Sequence, residues 1–139
     1  MKVILDEGAI MPTKAHPTDA GFDLYSRCKA VISPHDYWIF DTGVHIRIPD
    51  GFCGLLVSKS GLNVHEDLES TGLIDAGYTG SIKVKLYNRQ GSYRYISKGQ
   101  KISQIVILPI ENMIKLEKVE SFDEETERGS EGFGSSGKM

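Results

Sequence analysis

The chain has 139 residues and a net charge of −3: enough length for one buried core, and no basic surplus of the kind nucleic-acid binding requires. Its two cysteines, Cys28 and Cys53, and its four histidines fall in no metal-ligand spacing, which argues against a disulfide framework or a protein-ligated transition metal. The longest apolar run, Ile105–Ile110, is far short of the ~20 residues a spanning helix needs, and Met1–Asp6 is too weakly apolar for a secretory signal. A cytosolic protein with no membrane and no nucleic-acid partner is expected.

In chain order, Lys2–Leu5 reads as a short strand and Met11–Asp19, with Pro12 and Pro17, as a loop. In Ala20–Ser26, Phe22, Leu24 and Ser26 alternate with Asp23 and Tyr25, and a carboxylate within a strand must be exposed or paired. Val31–Ile32, Tyr37–Phe40 and Val44–Ile48 are further short strands, Pro49-Asp50-Gly51 is a turn, and Phe52–Val57 resumes an extended run. Strands this short and this regularly spaced predict an all-β sandwich or barrel rather than βαβ units. Ser58-Lys59-Ser60-Gly61-Leu62 then places two hydroxyls, a cation and a glycine at a strand end, which suits an anion-binding corner or a solvated turn. The Gly-x-x-x-x-Gly-Lys spacing of a Walker loop is absent. Asn63–Ser70 is expected to be a short helical turn or loop.

Thr71–Asn88 is the most informative stretch. Ile82, Val84 and Leu86 alternate with Lys83, Lys85 and Tyr87, the period of a half-buried strand. Before it, the apolar pair Leu73-Ile74 breaks at Asp75-Ala76-Gly77, and Gly77 and Gly80 are free to take positive φ, so the chain can fold back sharply around Tyr78. The product is a hairpin presenting one carboxylate, Asp75, and one aromatic, Tyr78, over open backbone. Taken alone, this is also ordinary turn chemistry. Arg89–Ser92 and Lys98-Gly99 are turns flanking the strand Tyr93–Ile96. Ile102–Pro109 is the most apolar strand, and Gln104 within it needs hydrogen-bond partners. Lys115–Val119 is expected to end the folded body, so residues 1–120 form a single β-domain. Residues 121–139, acidic and then glycine-serine-rich, bury too little to fold alone and are expected to form a flexible arm carrying one cation, Arg128, and one aromatic, Phe133.

Five short motifs, Ala20–Ser26, Ser58–Leu62, Gly72–Asn88, Gly99–Ile105 and Arg128–Gly137, stand in an order that strongly resembles the homotrimeric all-β dUTPases. The resemblance implies a distorted jelly-roll or β-clip-like subunit with a flexible C-terminal arm, assembling as a trimer with active sites at subunit interfaces. It implies hydrolysis of dUTP to dUMP and pyrophosphate, with Mg²⁺ held by the triphosphate and water rather than by protein ligands. By the same resemblance Asp75 activates the attacking water, the backbone of Gly72, Leu73 and Ile74 pairs with uracil, and Tyr78 packs on deoxyribose. Lys59, Ser60, Gly61 and Gln104 contact phosphates, and Asp23 supports the site by holding the cation of the second motif. Arg128 clamps the γ-phosphate, while Phe133, with Gly134 and Ser135, closes over the base.

The chain departs from the family pattern in two places. Lys59 stands where arginine is usual, keeping the charge but losing the fork, and Glu131 stands where glycine is usual. Tyr93 offers a second aromatic that could stack on uracil in place of Phe133. Two rival readings follow: a dUTPase-like nucleotide-sensing regulatory protein, and the fold-related dCTP deaminases, which would need a glutamate at the base.

Overall fold

The computed structural model of the protein describes residues 1–122, 126, 129 and 130. In chain order the elements are β1 (Lys2–Leu5), β2 (Gly21–Tyr25), β3 (Ala30–Ile32), β4 (Tyr37–Asp41), β5 (Val44–Arg47), β6 (Phe52–Val57), α1 (Ser60–Glu66), β7 (Leu68–Ile74), β8 (Lys83–Asn88), β9 (Arg94–Ile96) and β10 (Lys101–Pro109). A six-stranded sheet runs in the order β2-β10-β6-β7-β8-β4, and two small sheets pair β1 with β5 and β3 with β9. Every named pairing is antiparallel, so the all-β expectation holds with one short helix added.

The alternation in β8 sorts its side chains as its period requires. Ile82, Val84 and Leu86 are fully buried, whereas Lys83 is exposed and Lys85 and Tyr87 are half-buried. They join Leu24, Phe40, Ile48, Leu68, Ile102 and Ile105 in one core. Each such side chain contributes about 1.5–3 kcal/mol by leaving water. The strands can be this short because tight turns separate them: Gly43, at φ 65°, reverses the chain between β4 and β5. Among the described residues, no buried side-chain polar atom lacks a hydrogen-bond partner.

One expectation needs correction. Ser58–Leu62 is not simply a turn, because Ser60 already opens α1, closed by Asp67 in the left-handed conformation at φ 49°. This helix buries none of its residues, so no apolar stripe announced it. Asp23 lies on the edge strand, 4% exposed and paired, one of the two outcomes expected of a carboxylate within a strand. The last strand, β10, ends at Pro109. Beyond it Met113, Ile114, Leu116 and Phe122 are 70–98% exposed. No described helix is long and apolar enough to cross a membrane.

The feature that positions the site is a change of partner in β7. Its first residues, Leu68–Ser70, pair with Asn88–Leu86 of β8, whereas Thr71–Ile74 pair with Val57–Gly54 of β6. The two strands splay apart after Ser70, and the opposite edge of Thr71–Ile74 pairs with no strand among the described residues.

Candidate active site

At one end of β6 the chain gathers charge. Asp23 lies opposite Gln104 in the β2–β10 pairing, and Gln104 lies opposite Val57 in the β10–β6 pairing, so all three sequence segments meet there. Lys59 Nζ donates to Asp23 Oδ1 at 2.6 Å, and Lys101 Nζ is 2.7 Å from Oδ2. Burial alone would push the Asp23 carboxyl up. The hydrogen bonds from Lys101 and Lys59 outweigh burial and hold it below the usual carboxylate range. The hydrogen bond to Asp23 raises the Lys101 ammonium in return. Gln104 donates through Nε2 to Ser58 O at 3.1 Å, which gives its amide the partner it needs. Its side chain lies across Gly21, where any Cβ would stand 2.9 Å from Gln104 Oε1. Lys59 and Lys101 line an open cleft of about 460 Å³ together with Gly61, His65 and Gln100.

At the other end of β6 the site is made of backbone. The free edge of Thr71–Ile74 runs into a turn closed by the Tyr78 N–H donating to Asp75 O at 3.1 Å. Asp75 is exposed at its corner. Neither Gly77 nor Gly80 uses the positive φ open to it. Gly80 is required for a different reason, close approach: a Cβ there would lie 2.5 Å from Tyr78 Oη, because the tyrosine ring folds back over it. That hydroxyl donates to Ser81 O at 2.9 Å, so one ring face rests on the loop and the residue stays 42% exposed. Behind the loop, Thr42 Oγ1 donates to Ile82 O at 2.7 Å, and the Ile82 N–H donates to Val44 O at 2.8 Å. His45 Nδ1 lies 2.8 Å from Thr79 O.

One chain therefore brings Asp23, Lys59 and Gln104 together but does not bring them to Asp75. Ile74 pairs with Gly54 and Thr71 with Val57, so Asp75 sits about four residues, or ~13 Å, along the strands from the level of Gln104. Ser60 and Gly61 lie in the first turn of α1, both exposed. Gly72, Leu73 and Ile74 lie on β7, with Leu73 63% exposed. Tyr93, 57% exposed, precedes β9 on the small β3–β9 sheet. Arg128, Glu131, Phe133, Gly134 and Ser135 lie outside the described residues. Among the described residues, no group of three or more His, Cys, Asp or Glu side chains could hold a metal ion. Sequence reasoning passed over Lys101 and the close approach at Gly80, and Lys101 turns out to hold the second oxygen of Asp23.

A strand edge with free donors and acceptors, a turn-borne carboxylate and a lysine-lined cleft together suit a ligand with a flat polar end and an anionic end, as in the nucleotide hydrolases. Residues 7–137 match the sequence profile of the dUTPase family, and the chain belongs to that family. It is 42% identical over 138 residues to the deoxyuridine 5'-triphosphate nucleotidohydrolase of Clostridium kluyveri, covering 97% of this chain and 95% of that protein. The corresponding protein of Corynebacterium glutamicum is 41% identical over 140 residues, covering 98% and 93%. Among solved structures, the dUTPase of Staphylococcus bacteriophage 80alpha with dUpNHpp superposes with a TM-score of 0.91 at 34% identity, over 98% of this chain and 97% of that one. A mutant dUTPase from phage phi11 of Staphylococcus aureus, described as coordinating a structural Mg(II) ion, has a TM-score of 0.80 at 33% identity, over 87% and 97%.

Proposed function

We propose that the protein hydrolyses dUTP to dUMP and pyrophosphate. The observation that carries this reading is the unpaired edge of Thr71–Ile74 ending at Asp75, in a chain of the dUTPase family. Alternating backbone N–H and C=O groups on that edge match the donor–acceptor pattern of uracil, and cytosine presents the wrong one. Gly72, Leu73 and Ile74 supply this backbone. Tyr78, held down on Gly80, packs the deoxyribose and leaves no room for a 2′-hydroxyl. Asp75 orients a water and takes its proton as the oxygen attacks the α-phosphorus; the bond to the bridging oxygen breaks and pyrophosphate leaves.

Lys59, Ser60, Gly61 and Gln104 contact the phosphates, and Asp23 supports them by fixing Lys59. Mg²⁺, when bound with the substrate, neutralises phosphate charge. By the family resemblance this cation would bind through phosphate oxygens and water, as a hard cation that keeps its waters does. Arg128 on the γ-phosphate, and Phe133 with Gly134 and Ser135 over the base, enter from the family resemblance alone, and Tyr93 enters as an alternative stacker. Residues 121–139 acting as an arm, and a cytoplasmic location, rest on composition together with that resemblance.

The separation of Asp75 from the Asp23 cluster supports a homotrimer in which each site combines elements of more than one copy. The exposed apolar side chains of Met113, Ile114, Leu116 and Phe122 supply surface that such an assembly would cover. The test is pyrophosphate release from dUTP with Mg²⁺, compared with dCTP, dTTP and UTP. Release from dUTP alone, reduced at least about 100-fold by Asp75→Asn, is expected from loss of a general base. A second reading, a nucleotide-responsive regulator, draws on the phage 80alpha structures, whose description has phage dUTPases controlling the transfer of virulence genes. Tight dUTP binding without release would favour it, and ammonia from dCTP would point to a deaminase.

A further inference from the structure

We propose that Asp41 and Ser81 form a latch that positions Tyr78, and that this pair sets how strongly the protein prefers deoxyribose to ribose. The inference rests on the dUTP reading above and adds two positioning residues to it. Neither touches the substrate, and both act through the tyrosine ring.

The Tyr78 ring stands on a turn, and its hydroxyl donates to Ser81 O at 2.9 Å. The place of that carbonyl therefore decides where the ring stands. Its peptide is fixed from one side, where the Ile82 N–H donates to Val44 O at 2.8 Å. The Ser81 side chain supplies the other fixed point. Its Oγ donates to Asp41 Oδ1 and accepts from the Gly43 N–H at 3.0 Å.

The strand register delivers Asp41 to this position. It ends β4 directly opposite Lys83, two residues on from Ser81, and Lys83 Nζ donates to Asp41 Oδ2 at 2.5 Å. Gly43, at φ 65°, turns its N–H back so that it also reaches Asp41 Oδ1, at 3.0 Å. Arg27 holds the main chain of the same residue, donating from Nε to Asp41 O at 3.2 Å. Hydrogen bonds from Lys83 first, then Ser81, keep the carboxyl well below the usual carboxylate range. An ionised acceptor bonds a hydroxyl roughly twice as strongly as a neutral one, so the Ser81 side chain is held in one rotamer.

Rejecting a 2′-hydroxyl demands accuracy of placement, since one extra oxygen is excluded only by a wall that does not yield. The Asp41 side chain is 42% exposed, so its ion pair adds little to stability, and selectivity is where the latch is felt. The rate is affected less. Asp75 is tied to Tyr78 by its own main-chain bond, the Tyr78 N–H donating to Asp75 O at 3.1 Å, which the latch does not touch.

The experiment measures kcat/KM for dUTP and UTP in the wild type, Ser81→Ala, Ser81→Thr, Tyr78→Phe and Ser81→Ala/Tyr78→Phe. Ser81→Ala is expected to lower the preference for dUTP over UTP about fivefold, with kcat for dUTP within about twofold of wild type. Ser81→Thr keeps the hydroxyl and should keep the preference. Tyr78→Phe removes the group that the latch serves, so adding Ser81→Ala to it should change the preference by less than about twofold. An unchanged preference in Ser81→Ala overturns the inference. So does a loss of the same size in Ser81→Thr, or in Ser81→Ala placed on Tyr78→Phe, because Ser81 then acts by another route. Fluorine NMR of fluorotyrosine-labelled protein reads the ring without any ligand, with the Tyr78 line assigned by Tyr78→Phe. That line should shift or broaden in Ser81→Ala and stay in place in Ser81→Thr, and a line that Ser81→Ala leaves unmoved overturns the latch. A wild-type protein that releases no pyrophosphate from dUTP defeats the functional reading instead, and the Tyr78 line still decides whether Ser81 positions the ring.

Discussion

Around Asp23 the site consists of side-chain charge fixed by burial; around Asp75 it consists of main chain fixed by a neighbouring strand. The first region holds a 4%-exposed carboxylate on the edge strand β2, two ammonium groups and an amide tied to Ser58 O. The second holds an exposed acid on a turn, beside a strand whose outer edge pairs with no other strand among the described residues. The two materials suit the two ends of the proposed ligand. Phosphate is a diffuse anion that any well-placed cation can meet, so charge can be redistributed among side chains. A pyrimidine edge demands donors and acceptors at fixed spacing, and backbone within a sheet supplies that whatever its side chains are. The Asp23 region should therefore be sensitive to charge, and the Asp75 region to displacement of backbone.

Removing charge from the first region should have the largest effect on stability. Asp23→Asn leaves two ammonium groups facing a neutral amide, and breaking a buried ion pair is costly. Both lysines reach solvent, which lowers the expected cost to about 1–3 kcal/mol, read as a shift of the urea midpoint. The pH dependence has a fixed sign. The folded pKa of Asp23 lies below its ordinary value of 3.8, so its contribution is present above that value and is lost as pH falls through the lowered one. The gap between wild type and Asp23→Asn should close in acid, and a gap that stays constant would mean that charge is not what holds this corner. Asp41, lowered by Lys83 first and then by Ser81, gives the wild type a second acid-sensitive contact.

A displacement with no change of charge probes the second region. Gly80→Ala puts a Cβ 2.5 Å from Tyr78 Oη and must move either the ring or the loop. About tenfold lower kcat/KM for dUTP is expected, with a smaller preference for dUTP over UTP as the wall against the 2′-hydroxyl shifts. If activity falls while the dUTP-to-UTP ratio stays the same, Tyr78 is not that wall.

The same contrast explains what was legible in the sequence. Period-two alternation located β8, and β6 was found with its observed bounds, because burial on one face leaves a direct mark on residue type. Asp75 and Tyr78 stood out because a turn concentrates recognisable residues. Lys101 did not, since strict alternation places it on the face opposite Gln104, and the β10–β2 register shift between Lys101 and Ser103 that reverses this carries no marker in Ile102 or Ser103. The sequence predicts a helical turn or loop over Asn63–Ser70 and misses its true start at Ser60, because α1 has no fully buried residue to form an apolar stripe. The roles of Gly77 and Gly80 stay open in the sequence for a related reason. Glycine signals either unusual φ or close approach, and only the position of the Tyr78 ring distinguishes the two.

The smallest expected effect lies where the two kinds of material meet, at His45 on β5. Its ring bridges Thr79 O, 2.8 Å from Nδ1, and Asp6 Oδ1, 3.1 Å from Nε2, so a titratable side chain tethers the backbone loop that presents Asp75 and Tyr78. Asp41 also faces it as an acid, and Arg27, paired with both acids, opposes them. Both nitrogens can donate at once only in the imidazolium. The bond to Thr79 O first, then Asp6, therefore raises its pKa above 6.5, against a smaller opposing effect of burial. A raised folded pKa means that this contribution is complete below the ordinary value and is lost as pH rises through the raised one. The loss is partial, because the neutral ring protonated at Nδ1 keeps its bond to Thr79 and gives up only the one to Asp6. The Tm difference between wild type and His45→Gln, followed from about pH 5.5 to 8.5, should be widest at the acid end and narrow as the imidazole neutralises. A difference that does not vary with pH would show that the loop is held by its main-chain bonds to β5 alone, and that charge plays no part in the backbone half of the site.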